Sequence, residues 1–333
     1  MYDVDAVRRD FPILSRQVNG RPLVYLDNGA SAQKPQVVID AATRAYSHEY
    51  ANVHRGLHYL STVATEAYEA VRGKLARFLN AATEEEIVFT SGTTEAINLV
   101  AYGWAMPRLG PGDEIVLSVM EHHANIVPWH FLRERQGVKL VWVETEADGS
   151  LDPARVLAAI TPRTKLVAVT HMSNVLGTVV DIKTICDGAR ALGVPVLADG
   201  SQAAVHMPVD VRALGVDFYP ITGHKLYGPT GIGVLYGKAR HLELMPPYQF
   251  GGDMISYVSF ERTTWNELPY KFEAGTPNIA DAIGLGAAID YLHGIGLERA
   301  AAHEQELLLR ATRRLEAIPG VRIVGTARDK VGV

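Results

Sequence analysis

The chain has 333 residues, a hydrophobic fraction of 47%, a charged fraction of 21% and a formal net charge of −5. This balance predicts a soluble globular protein of roughly two domains and argues against nucleic acid as a partner. No run reaches the ~18 apolar residues of a membrane helix, and the N-terminus MYDVDAVRRD lacks the apolar core of a signal peptide. Together with a single cysteine, Cys186, these features predict a cytoplasmic protein without membrane contact.

Short apolar runs alternate with helical patterns through most of the sequence. The runs are apolar throughout rather than alternating, which is typical of strands buried on both faces. They cover residues 86–90, 114–119, 139–143, 165–170, 195–198, 216–221 and 231–236. Segments such as 93–106 and 182–192 have helical spacing, so the pattern predicts βαβ units and a mostly parallel sheet flanked by helices. Pro220 lies within one run, where we expect a bulge or a strand end.

The character of the chain changes after about residue 280. Helices are expected at 280–293 and 297–318, followed by a strand at 321–324 and the first residues of another at 331–333. We divide the chain into an N-terminal segment, 1–22, a large domain, 23–292, and the start of a small α+β domain, 293–333. Two helices with one strand cannot close a core, so this last domain is expected to be truncated, with an exposed apolar patch on 297–318.

Lys225 is the first candidate for chemistry. It lies in TGHKLYGPTG, between an apolar run and a second strand pattern, with Gly223 and Gly228 on either side. A lysine held in such a turn suits a nucleophilic amine that forms a Schiff base with a carbonyl cofactor. A solvated loop lysine is the alternative for so short a motif.

A phosphate cradle is indicated by SGTTE, residues 91–95, which follows one strand and opens a helix. The glycine permits a close turn, the hydroxyls of Thr93 and Thr94 can donate, and the N–H groups at a helix start favour an anion. The same residues would also serve as a plain helix cap.

Asp199 follows the apolar run 195–198, at the end of a strand where ligands collect in open α/β sheets. Its carboxylate could stabilise a protonated pyridine nitrogen, and Gln202 could bond a phenolic oxygen of the same ring. Capping of the next helix is an equal alternative for Asp199.

His122, His123 and Asn174 also follow strands. An imidazole can stack on an aromatic cofactor or move protons near neutral pH. A metal site at the histidine pair is disfavoured because neighbours point in different directions and no further ligand has a suitable spacing. Asn174 could bond a ring oxygen or a substrate carboxylate, although asparagine is also common in turns.

These segments resemble those of one family. SGTTEAIN, MEHHANIVPW, THMSNVLGT, DGSQAAVHMPVD, TGHKLYGPTGIGVLYG and FEAGTPN occur in the order seen in cysteine desulfurases, fold-type I enzymes dependent on pyridoxal 5′-phosphate (PLP). The resemblance is greatest to the SufS type, which includes selenocysteine lyases, and it runs from YLDNGASAQKP to the last residue. It implies the aspartate-aminotransferase-like fold with a seven-stranded, mostly parallel sheet.

The resemblance also implies roles for individual residues. Lys225 would carry the cofactor, and Asp199 would pair with the pyridine nitrogen. Gln202 would bond the ring hydroxyl, and His122 would stack on the ring. The catalytic residues would be Lys225, His122 and Asp199. The phosphate would be held by Thr93, Thr94, Thr222 and His224. Thr276 would reach the cofactor of a second subunit, which implies a homodimer. Asn174 would lie near ring and substrate, with Ala30 and Arg55 near the substrate at a subunit-contact loop that also contains His54.

The implied reaction converts L-cysteine to L-alanine. Lys225 removes the Cα proton, a protein cysteine takes the sulfur as a persulfide, and acceptor proteins of iron–sulfur cluster assembly receive it. The family places that cysteine in a C-terminal loop with no counterpart here, and Cys186 does not match it, so we interpret Cys186 as a packing residue. Full activity of the chain as given is therefore doubtful.

Other functions stay open at this point. A selenocysteine lyase, or another PLP-dependent lyase or transaminase of the same subgroup, would share most of these motifs. A non-catalytic PLP-binding dimer partner would share them without sulfur transfer. An α/β domain without cofactor requires Lys225, Asp199, Gln202 and SGTTE to coincide by chance.

Overall fold

The computed structural model describes residues 2–333. Helices α1 to α12 cover Val4–Arg9, Gln36–His48, Tyr59–Leu79, Thr93–Leu99, Val127–Gln136, Pro153–Ala158, Ile182–Ala191, Ala203–His206, Val211–Leu214, Ala239–Leu244, Ile279–Ile295 and Leu297–Glu316. Strands β1 to β11 cover Gln17–Val18, Arg21–Pro22, Ile87–Thr90, Glu114–Ser118, Lys139–Val143, Thr164–Thr170, Val196–Asp199, Phe218–Thr222, Gly233–Gly237, Ile255–Val258 and Thr263–Trp265. Helix α4 continues as a wider π-helical segment over Val100–Ala105.

Seven of the strands form one sheet in the order β3-β9-β8-β7-β6-β4-β5. The pairs β5–β4, β4–β6, β6–β7 and β7–β8 are parallel, and β3 pairs with β9 in antiparallel fashion. Strands β3, β7, β8 and β9 are buried at every residue, as expected for strands covered by helices on both faces. The predicted seven-stranded, mostly parallel sheet is therefore confirmed.

The chain divides into two compact units, each discontinuous in sequence. Unit 1 comprises 1–96 and 222–296, and unit 2 comprises 97–221 and 297–333. In unit 1, the apolar helix α11 packs against α2 and α3. In unit 2, helix α7 buries Ile182, Ile185, Cys186 and Ala189, spaced as one helical face.

The predicted strand at 321–324 is wrong. This segment is irregular, and Val324 is 69% exposed. Beta propensity alone does not make a strand, because strand backbone needs a partner for its hydrogen bonds. The strand expected at 331–333 is also absent. Instead, a single antiparallel bridge joins Lys330 to Thr178. Next to this bridge, Val331 N donates to the Gly177 carbonyl.

Strand β8 does not end at Pro220. It continues to Thr222 and is buried throughout. Phe218 is in register with Leu197 of β7, and two residues further on the Pro220 carbonyl accepts a hydrogen bond of 3.0 Å from Gly200 N. Proline can occupy this position because its carbonyl still pairs although it lacks a donor.

Helix α12 buries none of its residues. Leu307, Leu309 and Leu315 are each about half exposed, as is Ile318 beyond the helix end. The exposed apolar face expected on this segment is therefore present. Among the described residues, no helix has the length and apolar character needed to cross a membrane.

Candidate active site

The turn that carries Lys225 belongs to unit 1 and has a rigid backbone. Gly223 N donates to the Ile232 carbonyl, and the Gly223 carbonyl accepts from Leu226 N and Gly228 N, each at 2.9 Å. A Cβ on Gly223 would lie 2.9 Å from the Ile232 carbonyl oxygen, closer than real Cβ atoms come. Glycine at 223 therefore lets the two arms of the turn approach, and this fixes the point from which the Lys225 side chain starts.

A second lysine lies at the same turn. Lys34 Nζ donates to the carbonyls of Ala32 at 2.5 Å and His224 at 3.0 Å, and Ala32 N donates to the same His224 carbonyl at 3.0 Å. These bonds bring the segment that contains Ala30, itself exposed, next to the lysine turn. Burial lowers the pKa of Lys34 to about 8. Burial and the nearby charges of Lys225 and Lys34 likewise lower the pKa of His224.

The SGTTE loop of unit 1 lies beside Thr222. Gly92 has φ +154°, and a Cβ there would lie 3.5 Å from Thr222 Oγ1. Thr93 and Thr222 are buried, whereas Thr94 is exposed. The structure therefore brings three of the four predicted phosphate ligands to one loop region, with His224 two residues beyond Thr222.

Glu95 takes part in capping the SGTTE turn. Its carboxylate accepts from the backbone N–H of Ser91 and from the side chains of Tyr248 and Gln249. Burial would raise the pKa of Glu95, but the bonds from Ser91 and Tyr248 hold it below its ordinary value. Glu95 therefore caps the backbone N–H of Ser91 at the start of helix α4.

Arg55 and the loop around Thr276 border one cavity of unit 1. Its volume is about 320 Å³, and its lining includes Arg55, Gly275 and Pro277, the last two flanking the exposed Thr276. Arg55 Nε forms an ion pair of 2.8 Å with Asp253, and half of its side chain is exposed.

Asp199 ends strand β7 in unit 2 and is 4% exposed. Its Oδ1 accepts from Ser201 N at 2.9 Å and from Ser201 Oγ at 2.6 Å. Asp199 thus closes a local turn, while the residue that precedes helix α8 is the buried Gln202. The carboxylate is desolvated and held in place at a strand end.

Tyr219 lies beneath this turn and was not singled out from the sequence. A Cβ on Gly200 would come within 2.0 Å of the Tyr219 ring, so the turn after Asp199 rests directly on that ring. The Tyr219 hydroxyl is 2.7 Å from His171 Nδ1. Burial lowers the pKa of His171 to about 4, so this imidazole is neutral at physiological pH.

His122 caps the short helical turn His123–Asn125 in unit 2. Its Nδ1 accepts from Ala124 N at 3.1 Å, and the residue is exposed. An Nδ1 that accepts leaves the proton of the neutral ring on Nε2. Asn174 lies half-buried in a tight turn after strand β6. Among the described residues, no group of three or more His, Cys, Asp or Glu side chains could hold a metal ion.

Glu121 is a buried acid to which sequence reasoning gave no role, although it stands next to His122. It contacts Ser118 Oγ and accepts from Asn125 Nδ2 at 2.8 Å. Burial raises the pKa of Glu121 to about 7, against the opposing bonds from Ser118 and Asn125. Its position within a cluster of polar residues after an apolar strand was the available sequence signal.

Comparison with known proteins identifies the family. The model of the family "Aminotransferase class-V" matches residues 24–332. A probable cysteine desulfurase of Xylella fastidiosa is 53% identical over 99% of this chain and 79% of its own length. The crystal structure of the cysteine desulfurase CsdA from Escherichia coli is 44% identical with a TM-score of 0.89, covering 96% of this chain and 79% of that one.

A more distant solved structure carries the cofactor. It is a C-DES mutant with glycine covalently linked to its PLP cofactor, 25% identical with a TM-score of 0.83, covering 96% of this chain and 84% of that one. The predicted family and cofactor class are confirmed. The chain therefore belongs to the class-V aminotransferase family, and within it to the PLP-dependent cysteine desulfurases.

Proposed function

We propose that this chain binds L-cysteine as substrate and uses Lys225 to hold PLP and to remove the substrate's Cα proton. The observation that carries the proposal is the rigid, glycine-closed turn under Lys225, to which the Ala30 segment is hydrogen-bonded through His224. A reacting amine must be held in place while the bonds around it change, and this turn meets that requirement.

The donor set of unit 1 fits a phosphorylated carbonyl cofactor. Thr93, Thr94 and Thr222 supply hydroxyls beside the side-chain-free Gly92, and His224 supplies an imidazole two residues from Thr222. We assign the phosphate to these four side chains. Their neutral donors suit an anion at the start of a helix.

Other basic groups lie close to Lys225. Burial lowers the pKa of Lys34, and burial together with the charges of Lys225 and Lys34 lowers the pKa of His224. A proton acceptor must lie within reach of the proton that it removes. We assign removal of the Cα proton to Lys225 Nζ, on the residue that directly follows His224 in this turn.

Unit 2 supplies groups suited to an aromatic ring. We assign the pyridine nitrogen to the buried carboxylate of Asp199, the ring hydroxyl to Gln202, and the ring face to His122. When bound, PLP supplies an electron sink for the bond that breaks at the substrate Cα. Asp199 keeps a proton on the ring nitrogen, and Asn174 and Arg55 are assigned to the ring edge and the substrate carboxylate. Cys186 is 2% exposed, which argues against it as the thiol that receives sulfur.

A mapping experiment tests the lysine. The chain is incubated with PLP, reduced with borohydride and digested, and the modified peptide is identified by mass. We expect the adduct on Lys225, its loss in Lys225→Ala, and its retention in the control Lys34→Ala. An adduct on Lys34 in the unaltered chain would overturn the assignment.

We further propose a homodimer in which Thr276 reaches the cofactor of the other copy. Unit 1 exposes many large apolar side chains, including Leu26, Leu57, Tyr59, Phe250 and Phe260, and exposed apolar surface of this kind marks protein interfaces. Light scattering of the PLP-loaded chain tests this; a monomer at micromolar concentration would contradict it.

The remaining assignments extend the family relationship. We propose the SufS type, a cytoplasmic location, and a sulfur-acceptor protein of iron–sulfur cluster assembly as partner. The division into segments 1–22, 23–292 and 293–333 stays a prediction.

A further inference from the structure

Glu121 is a buried carboxyl group without a part in the reaction described above. It lies three residues beyond Ser118, the last residue of strand β4, and directly before His122. Its two oxygens meet Ser118 Oγ and Asn125 Nδ2, and Trp129 Nε1 in turn donates to Asn125 Oδ1 at 3.0 Å. The carboxyl group therefore ties the end of β4 to the turn that carries His122.

Glu121 is also close to Asp199. It accepts a backbone hydrogen bond from Thr170, the last residue of β6, and it interacts electrostatically with Asp199. Thr170 faces Asp199 across the parallel pair β6–β7. The two acids thus lie within unit 2 at the carboxyl ends of neighbouring strands.

We propose that Glu121 is a positioning residue of the cofactor ring: it anchors the His122 turn, and its proton keeps a second negative charge away from Asp199. The proposal rests on the assignment of Asp199 and His122 to the PLP ring. It extends that assignment, because it names a buried carboxyl group that interacts electrostatically with the ring-binding acid.

Asp199 interacts electrostatically with Glu121, whereas two other buried titratable groups of unit 2 are neutral. His171, which follows β6, is neutral because burial lowers its pKa to about 4. Tyr219 on β8 is neutral because burial and the charge of Asp199 raise its pKa well above its ordinary value. Burial together with the charge of Asp199 raises the pKa of Glu121 to about 7. Two close carboxylates disfavour double ionisation, so Asp199 favours the protonated form of Glu121.

The direction of the effect follows. Below pH 7, Glu121 is protonated. As pH rises, Glu121 ionises, and a second negative charge beside the ring-binding acid would favour the protonated form of a ring nitrogen bound there. In Glu121→Gln the amide keeps hydrogen bonds like those of the protonated acid, and this pH dependence is expected to vanish.

Two readouts on the full chain test the proposal, each with Glu134→Gln as control, because Glu134 is an exposed glutamate of the same unit. The first is the thermal unfolding midpoint without PLP from pH 5 to 8. A raised pKa in the folded state means that stability is lost as pH rises towards 7. The unaltered chain is expected to lose several degrees relative to Glu121→Gln across this range. The lowered pKa of His171 acts in the opposite direction, but it is common to both proteins and cancels in the difference.

The second readout is the pH titration of the visible absorbance of the PLP-loaded chain. Glu121→Gln is expected to shift the transition by about one pH unit or remove it, whereas Glu134→Gln leaves it unchanged. Ser118→Ala provides an independent variant. It removes a hydrogen bond that lowers the pKa of Glu121, so its transition moves to higher pH.

The outcomes are distinct. Shifts in both readouts support the proposal. Superimposable stability curves for the unaltered chain and Glu121→Gln overturn it, as does a change in stability without a change in the spectrum. If Glu121→Gln does not fold, an unshifted transition in Ser118→Ala overturns it. Failure of the Lys225 mapping would refute the proposed function instead, and it leaves the measurement without PLP unaffected.

Discussion

Arg72 forms a buried ion-pair network in unit 1, and its removal is the perturbation with the largest expected effect on stability. Its side chain is 2% exposed and contacts Glu69 and Glu273, with both Nη atoms bound to Glu273 at 2.8 and 3.0 Å. Nη1 also donates to the Ile87 carbonyl at 2.8 Å, and the guanidinium lies 4.6 Å from the centroid of the Phe89 ring.

The magnitude follows from what Arg72→Met would leave behind. Glu273 is 7% exposed, and with Arg72 gone its charge keeps one described hydrogen bond, from Phe89 N at 2.7 Å. Removing one partner of a buried pair costs about 3–5 kcal/mol, because the other charge stays buried without compensation. Lys74→Met is the matched control: Lys74 lies on the same helix as Arg72 and pairs with Asp290 of helix α11, but the two side chains are 31% and 60% exposed. Such a pair contributes about 0–1 kcal/mol.

Urea-induced unfolding at pH 7 without PLP measures both changes. The pKa of Glu69 is lowered to about 2, because hydrogen bonds from His54 and Arg72 outweigh the effect of burial. The contribution of Glu69 to the free energy of unfolding is therefore fully present at pH 7 and is lost as pH falls from about 4.5 to 2. The double variant Arg72→Met, Glu273→Gln is expected to recover part of the loss, since no carboxylate remains unpaired at 273. An Arg72→Met cost no larger than that of Lys74→Met would refute the reasoning.

Two further predictions concern unit 2. Gly200→Ala is expected to destabilise the chain by about 1–3 kcal/mol or more, because the added Cβ would lie 2.0 Å from the Tyr219 ring. Gly110→Ala is the control, since no atom lies within 4 Å of its added Cβ. Thermal unfolding compares the two variants, and equal unfolding midpoints would contradict the packing argument. Cys186, 2% exposed on α7, is expected to react slowly with a thiol reagent in the native chain and completely in urea. Fast native labelling would contradict its interpretation as a packing residue.

The sheet could be predicted because its signal is local. Each central strand is a short apolar run, such as 114–119 for β4, and burial on both faces is what such a run needs. The prediction of a strand at 321–324 was wrong because strand formation also depends on non-local pairing. Its residues favour extended backbone, but pairing depends on a neighbouring strand edge that no local pattern shows.

The buried charge networks could not be predicted in the same way. Arg72 and Glu273 are 201 residues apart, and neither differs in sequence from an ordinary surface charge. Glu121 was adjacent to a residue that was singled out, yet its burial depends on the packing of Ser118, Asn125 and Trp129 around it. Asp199 lies between these cases: the sequence left open whether it closes a turn or serves a ring, and its contacts with Ser201 are compatible with both.

The two lysines of unit 1 show how geometry can separate residues of the same chemistry. Lys34 has a lowered pKa, which by itself would make it a candidate nucleophile. Its Nζ, however, donates to two backbone carbonyls, at Ala32 and His224, and an amine used in this way holds two chain segments together. Lys225 follows His224 directly, so the bond from Lys34 fixes the backbone from which Lys225 extends. The low pKa of Lys34 thus results from its burial, and the amine serves to hold the backbone that carries Lys225.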